Sequence, residues 1–440
     1  MNKKDLKQKA EQSIDHHIED IMGIAKKLYE NPELGYKETY GTNEVRKIFE
    51  ELGLQDIEEN IAVTGVRGAL NPKGSGPHIV VMGELDSVIS PDHPDASEDG
   101  AVHACGHNNQ VAAMVGVAYG LATDEIVNKL DGKVTFMAVP AEEFIELDFR
   151  SKLMENGEIE FYGGKQELIA RGAFDDADLV MMIHSIDLSG TDKKIIVAPK
   201  GNGFIGKKVQ FIGKESHAGA APEEGINALN AAMLAINNIN AQRETFRDAD
   251  KIRVHPILTK GGDIVNIVPS DVRMESYVRG KTLEGIQDAN EKVNRSLIHG
   301  AKAVGANIKI EEIPGYFPLI DYKPLAEVFY DNAKEFMKEE EIVWDFELGG
   351  SFDIGDLSHI MPILHPLVGG ISGALHTRDF SLTDAELAYI TPAKIMACTI
   401  VDLLADGGKK AKQVMEKSNP PMTKDEYLDI QRKNARVIEE

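Results

Sequence analysis

Three short, continuous apolar runs limit what this chain can fold into: His78–Gly83, Lys133–Val139 and Leu179–Ile183. Runs of this length without polar alternation fit strands buried on both faces, and such strands belong to parallel sheets covered by helices. A small-residue helical stretch, Asn109–Thr123, separates the first two, so strands and helices alternate. Apolar residues at helical spacing (Ile14, Ile18, Ile21, Ile24, Leu28) open the chain, and after a break at Asn31-Pro32 a second helix is expected around Thr42–Leu52. The pattern predicts an α/β fold with a mostly parallel sheet flanked by helices.

A different rhythm begins near Lys200. Strands are expected at Phe204–Ile212, Ile252–Thr259, Val272–Val278 and Asn307–Ile313, with helices at Glu223–Phe246 and Leu283–Val304. The order βαββαβ is that of a ferredoxin-like domain. Pro199-Lys200-Gly201 and Pro314-Gly315 bracket it as boundary signals. At ~150 residues per domain, 440 residues give two or three domains. The expected division is a first domain over 1–199 and 314–440, interrupted by an inserted domain over 200–313. The last thirty or so residues carry no chemistry that can be named.

In open α/β sheets, sites form beyond the carboxyl ends of the strands. The first run here leads into Gly83-Glu84-Leu85-Asp86, followed by a loop with His103-Ala104-Cys105-Gly106-His107. The second leads into Pro140-Ala141-Glu142-Glu143, the third into His184, and His376 lies in a later Gly-rich stretch. Singly, each has a bland reading: an incidental Cys-x-His, a solvated glutamate pair, a core histidine. Their shared position at carboxyl strand ends favours a site for zinc or a similar divalent metal, since thiolate, imidazole and carboxylate suit such ions. A metal polarises an amide carbonyl and lowers the pKa of bound water to ~7, and a nearby carboxylate can then move the proton. Adjacent glutamates point in different directions, so one can bind metal while the other faces substrate.

The charge balance, 48 Lys+Arg against 72 Asp+Glu for a net −24, disfavours nucleic acid and anionic membrane surfaces as partners. The N-terminal MNKKDLKQKAEQSID lacks a signal peptide's apolar region, and two cysteines are too few for a disulfide framework. A soluble cytoplasmic protein is expected.

Seven elements occur in order: NPELGYKE (31–38), GELD (83–86), HACGHN (103–108), PAEE (140–143), SHAGAAP (216–222), NIVP (266–269) and HTRDF (376–380). Together they resemble the co-catalytic metallopeptidase family of aminoacylase, carboxypeptidase G and hippurate hydrolase. Within it the chain is most similar to the amidohydrolase branch with p-aminobenzoyl-glutamate hydrolase. The resemblance spans roughly Ala25–Leu404.

The resemblance implies two divalent metal ions per chain, with zinc favoured and manganese, cobalt or nickel as other occupants. Cys105 would bridge them, His107 and His184 would complete one site, and Glu143 and His376 the other. Glu142 would be the general base and acid, with Asp86 orienting a ligand. The inserted domain would be a lid through which two chains form a homodimer. His217 would contact the developing oxyanion in the partner's site, while Asn266 and Arg279 would hold the carbonyl and carboxylate of a small-molecule substrate. His103 is read as structuring its loop, Cys398 as a small buried residue, and His93 as an incidental surface residue in the long acidic loop Ser87–Val102. The segment from Glu143 to His184 is longer than the family's short Gly-rich turn and begins beside the site, so it bears on substrate size.

The resulting expectation is a metal-dependent amidohydrolase that cleaves the amide bond of an N-acyl amino acid, an aryl-glutamate or a dipeptide. Two other readings stay open: a non-catalytic small-molecule binding protein on the same fold, and a deacetylase or desuccinylase of a biosynthetic intermediate.

Overall fold

The computed structural model describes residues 2–440. The chain forms two compact units. The first comprises Met1–Lys200, Ile320–Glu347 and Asp356–Met422; the second comprises Gly201–Leu319, Leu348–Gly355 and Thr423–Glu440.

The main sheet of the first unit has six strands, in the order Gln55–Ile61, Gly65–Leu70, Lys133–Val139, His78–Glu84, Leu179–Met181 and Ile363–Leu364. The last four run parallel, while Gln55–Ile61 and Gly65–Leu70 add an antiparallel edge that the sequence pattern did not suggest. Gln55–Ile61 is mostly exposed and strongly charged, so it lacks the buried run by which a strand is read.

All fifteen residues of the helix His107–Leu121 are buried. That explains why it has no polar stripe: an enclosed helix is apolar all round. It packs against the strand His78–Glu84, the opening helices Lys3–His16 and Ile18–Glu30, and the late helix Thr391–Leu404. Contact with the sheet is backbone to backbone, because a Cβ at Gly83 would lie 2.8 Å from the main chain of Val111. The stretch Glu386–Leu404 reaches a mean hydropathy of 1.5 and has the length of a membrane span, yet 78% of it is buried inside the fold.

Register decides where the chemistry falls. Glu84 pairs with Val139 across parallel strands, and Leu85 N donates to Val139 O at 2.9 Å. The GELD and PAEE segments therefore leave the sheet side by side.

The second unit follows the order βαββαβ: Gly203–Ile212, Ala228–Gln242, Arg253–Lys260, Asp271–Gly280, Leu283–Lys302 and Asn307–Pro314. Its strands are antiparallel, and both helices pack on the sheet to close a core that includes Phe211, Ala231, Val272, Val293 and Ile310. The first helix starts five residues later than expected. Pro222–Glu224 make a single 3₁₀ turn that ends at Gly225, and Asn227 caps the helix by accepting from Asn230 N at 3.0 Å. The C-terminal residues return to this sheet, where Val437–Glu439 pairs with Asn307–Pro314 as a fifth strand.

Candidate metal centre

The centre lies in the first unit, where four segments meet beyond the carboxyl ends of the parallel strands. Gly106, at φ 80°, turns the chain so that His107 opens its helix directly after Cys105. A Cβ at Gly106 would lie 2.5 Å from Ser185 Oγ, so glycine also lets the His184 strand approach. Ala141 and His376, at φ 54° and 62°, are held in the sparsely populated left-handed region by specific bonds. Ala141 N donates to Glu38 Oε1 at 2.8 Å, and His376 N donates to Ala104 O at 2.8 Å. Packing among Val102, Ala104, Cys105, Ile371, Leu375 and Phe380 holds the Cys105 and His376 loops together.

The structure brings six expected residues into one cluster. Cys105 Sγ is 3.5 Å from His184 Nε2 and 3.2 Å from His376 Nε2, and His376 Nε2 is 3.0 Å from Glu143 Oε1. His107 Nε2 lies 3.9 Å from Glu142 Oε2. The donor atoms group as Cys105–His107–His184, Cys105–Glu143–His376 and Glu84–His107–Glu142. Asp86 ties the ligand segments together. Its main-chain oxygen is 2.8 Å from His107 Nδ1, Oδ1 is 3.2 Å from the same atom, and Oδ2 accepts from Glu143 N at 2.9 Å. Bonds of that kind fix the imidazole tautomer and leave Nε2 as the donor toward a metal.

These residues fit a pair of divalent ions. Two buried atoms in the cluster, His107 Nε2 and Glu143 Oε1, make no hydrogen bond. Each faces an oppositely charged group without a well-aligned hydrogen bond, and a coordinated cation would satisfy both. Donors bonded to one zinc ion at ~2.0–2.3 Å stand about 3.3–3.6 Å apart. The close donor pairs here span 3.0 to 3.5 Å. Charge argues the same way, since Glu84, Asp86, Glu142, Glu143 and Cys105 are all buried.

Electrostatics prepare the donors. Burial and the Glu143 carboxylate push the Cys105 thiol up, but His107 and His184 outweigh them and bring it to about 6. Burial also raises the Glu143 carboxyl, yet His376 and His107 pull it down to about 2. For His376 burial works downward, while Cys105 and Glu143 carry it up to about 11. Thiolate and carboxylate are thus ready to bind, and His376 must release a proton first.

Two features escaped the sequence pattern. Glu84, part of the GELD element but given no role there, places Oε2 3.1 Å from His107 Nε2. Lys165, inside the long segment, is fully buried with Nζ 2.5 Å from Glu84 Oε1. Glu84 could have been found as the last residue of its strand, whereas Lys165 gave no signal beyond its place in an overlong segment. His103 is buried and accepts at its carbonyl from Gly106 N at 3.3 Å. Burial and the nearby His107 lower its imidazole to about 3. His93 is not a surface residue: it is buried, with Nε2 2.9 Å from Phe380 O, because the acidic loop folds inward at that point.

His217, Asn266 and Arg279 belong to the second unit. His217 and Asn266 are exposed neighbours, since His217 bridges to Ile267 and Ala218 N donates to Asn266 O at 3.0 Å. His217 Nδ1 accepts from Ala220 N at 3.0 Å and from Gly219 N at 3.2 Å. Arg279 sits over the rings of Phe204 and Tyr277, each 5.2 Å away, and donates to Ser351 Oγ at 3.2 Å.

The chain is similar to known hydrolases along most of its length. Residues 201–303 match the M20 peptidase dimerisation domain. The mouse Xaa-Arg dipeptidase is 28% identical over 420 residues, covering 91% of this chain and 89% of that protein. A p-aminobenzoyl-glutamate hydrolase homolog from Haemophilus influenzae is 26% identical over 268 residues, covering 58% and 57%. A dinuclear metal-binding M20 peptidase from Bacillus subtilis shares the fold, with a TM-score of 0.64 at 21% identity over 88% of this chain and 98% of that one. With two divalent metals supported by the donor groups and hydrolases among its relatives, the chain carries an M20 peptidase dimerisation domain and is a metal-dependent amidohydrolase.

Proposed function

We propose that the enzyme hydrolyses the amide bond of small N-acyl amino acids, aryl-glutamates or dipeptides, with Glu142 as general base and acid. The observation that carries this reading is the division within one glutamate pair: Glu143 groups with Cys105 and His376, whereas Glu142 groups with Glu84 and His107 and not with the thiol. Cys105 would bridge two metal ions, with His107 and His184 on one and Glu143 and His376 on the other. Zinc suits this mixed donor set best, and manganese, cobalt or nickel can take similar ligands. Bound there, the metals supply Lewis acidity for the carbonyl and a water of lowered pKa. Glu142 accepts the water's proton and hands it to the leaving nitrogen. Asp86 holds His107 and the Glu143 main chain in place during the exchange.

In the second unit, Arg279 offers a planar fork suited to a substrate carboxylate, and Asn266 offers an amide to the scissile carbonyl. His217 would steady the developing oxyanion of the partner chain's site in a homodimer built through residues 201–303. The 28% identity with a dipeptidase supports testing dipeptides first among the candidates. Two unpaired cysteines fit a cytoplasmic location. The test is amine release from dipeptides with basic and neutral C-terminal residues, N-acyl amino acids and p-aminobenzoyl-glutamate, with zinc or manganese added and a chelator control. Chelator-sensitive cleavage of any of them supports the reading. Metal-loaded protein that cleaves none of them rejects it.

A further inference from the structure

The segment between Glu143 and Leu179 folds as two helices, Leu147–Glu155 and Gly164–Ala170, and inserts two fully buried basic side chains beside the metal centre. Arg150 donates to the carbonyls of Glu143 at 2.5 Å and Tyr162 at 2.7 Å, tying the segment to a ligand's main chain. Lys165 reaches Glu84 instead. The Glu84 carboxylate is divided between two sides: Oε1 accepts from Lys165 Nζ at 2.5 Å, while Oε2 accepts from Gln110 Nε2 at 2.7 Å and lies 3.1 Å from His107 Nε2. Burying an ion pair this completely is expensive, and an apolar pair of similar volume often serves stability as well. A stability role alone does not account for aiming that pair at the donor atom of a metal ligand.

Charge supplies the role. Cys105 already brings a negative charge to the donor group it shares with His107 and His184, and an unpaired Glu84 would add a second. More negative charge around a dication holds it more tightly and weakens its pull on a carbonyl or water. We propose that Lys165 is a positioning residue: it holds Glu84 and offsets its charge, so that the metal bound at His107 stays weakly enough held to remain a strong Lewis acid. The proposal rests on the two-metal reading above. It also assigns the long segment a task inside the centre.

The test is a charge cycle on the full-length protein: Lys165→Met, Glu84→Gln and the double variant. Each is stripped of metal and titrated with zinc and with cobalt against a chromophoric chelator, with the visible cobalt spectrum as a second readout. Lys165→Met is expected to bind one of its two ions about tenfold more tightly and Glu84→Gln about tenfold more weakly, with the double variant close to wild type. The cobalt bands should shift in the single variants and return in the double. A merely structural pair would give the same sign in both single variants, and that result, or unchanged affinities, overturns the proposal. If Lys165→Met does not fold, Lys165→Gln takes its place in the cycle, where tighter binding than wild type supports the proposal and weaker or unchanged binding overturns it. Wild-type protein that takes up no metal would overturn the two-metal reading itself, a failure visible without any variant.

Discussion

Cys105 Sγ and His376 Nε2 stand 3.2 Å apart although 271 positions separate them in the chain. The same sulfur lies 3.5 Å from His184 Nε2, so one thiol joins two groups of donors. Neither group is complete without it.

Replacing Cys105 by Ser should therefore cost both sites. A hydroxyl is a far poorer ligand than a thiolate, and loss of a shared ligand weakens two ions together. Metal per chain, measured by elemental analysis after gel filtration, should fall below one ion. Two ions retained would remove Cys105 from the ligand set.

Glu142→Gln separates chemistry from binding. Its oxygen is not among the donors grouped with Cys105, and the amide cannot accept the water's proton. The expected outcome is a kcat lower by about 10²–10⁴ with metal content unchanged. An active variant would assign the base elsewhere, and an inactive variant lacking metal would make Glu142 a ligand.

Metal affinity should rise with pH. At neutral pH the free enzyme already holds Glu143, at about 2, as carboxylate and Cys105, at about 6, as thiolate, while His376, at about 11, keeps its proton. An ion entering beside Glu143 must displace that proton, so log affinity climbs by about one unit per pH unit above pH 6. Below pH 6 the slope steepens, because Cys105 must also lose a proton. Chelator competition over a pH series measures this, and a flat profile would contradict it.

The second unit has its own buried ion network. Lys207 Nζ and the side-chain nitrogens of Asn290 and Asn294 all converge on Glu312 Oε1 at 2.6 to 2.8 Å, and Arg436 from the C-terminal segment takes Oε2. Lys207→Met leaves Glu312 without its buried cation and should cost about 3–5 kcal/mol, read by urea unfolding. Burial alone would raise the Glu312 carboxyl, but Lys207 and Arg436 bring it down to about 2 against 4.5 unfolded. Its stabilisation is thus full above pH 4.5 and lost as pH falls toward 2. Glu312→Gln should lack that acid dependence.

The fold class and several of the candidate donors were legible in the sequence because they are local. Buried parallel strands write themselves as unbroken apolar runs, and the positions just past them, Asp86, Glu142, Glu143 and His184, follow by adjacency. The order βαββαβ was legible for the same reason, each element carrying its own period and punctuation. What the sequence could not give was everything that depends on which segments meet. The exposed edge strand Gln55–Ile61 has no hydrophobic signature, and the pairing of Val437–Glu439 with Asn307–Pro314 joins residues far apart along the chain. The link from Lys165 to Glu84 spans 81 positions with no motif to mark it. Local sequence specifies the elements and the donor types. Which donor faces which is set by the fold, because side-chain contact depends on register and packing between segments, and those are properties of the folded whole.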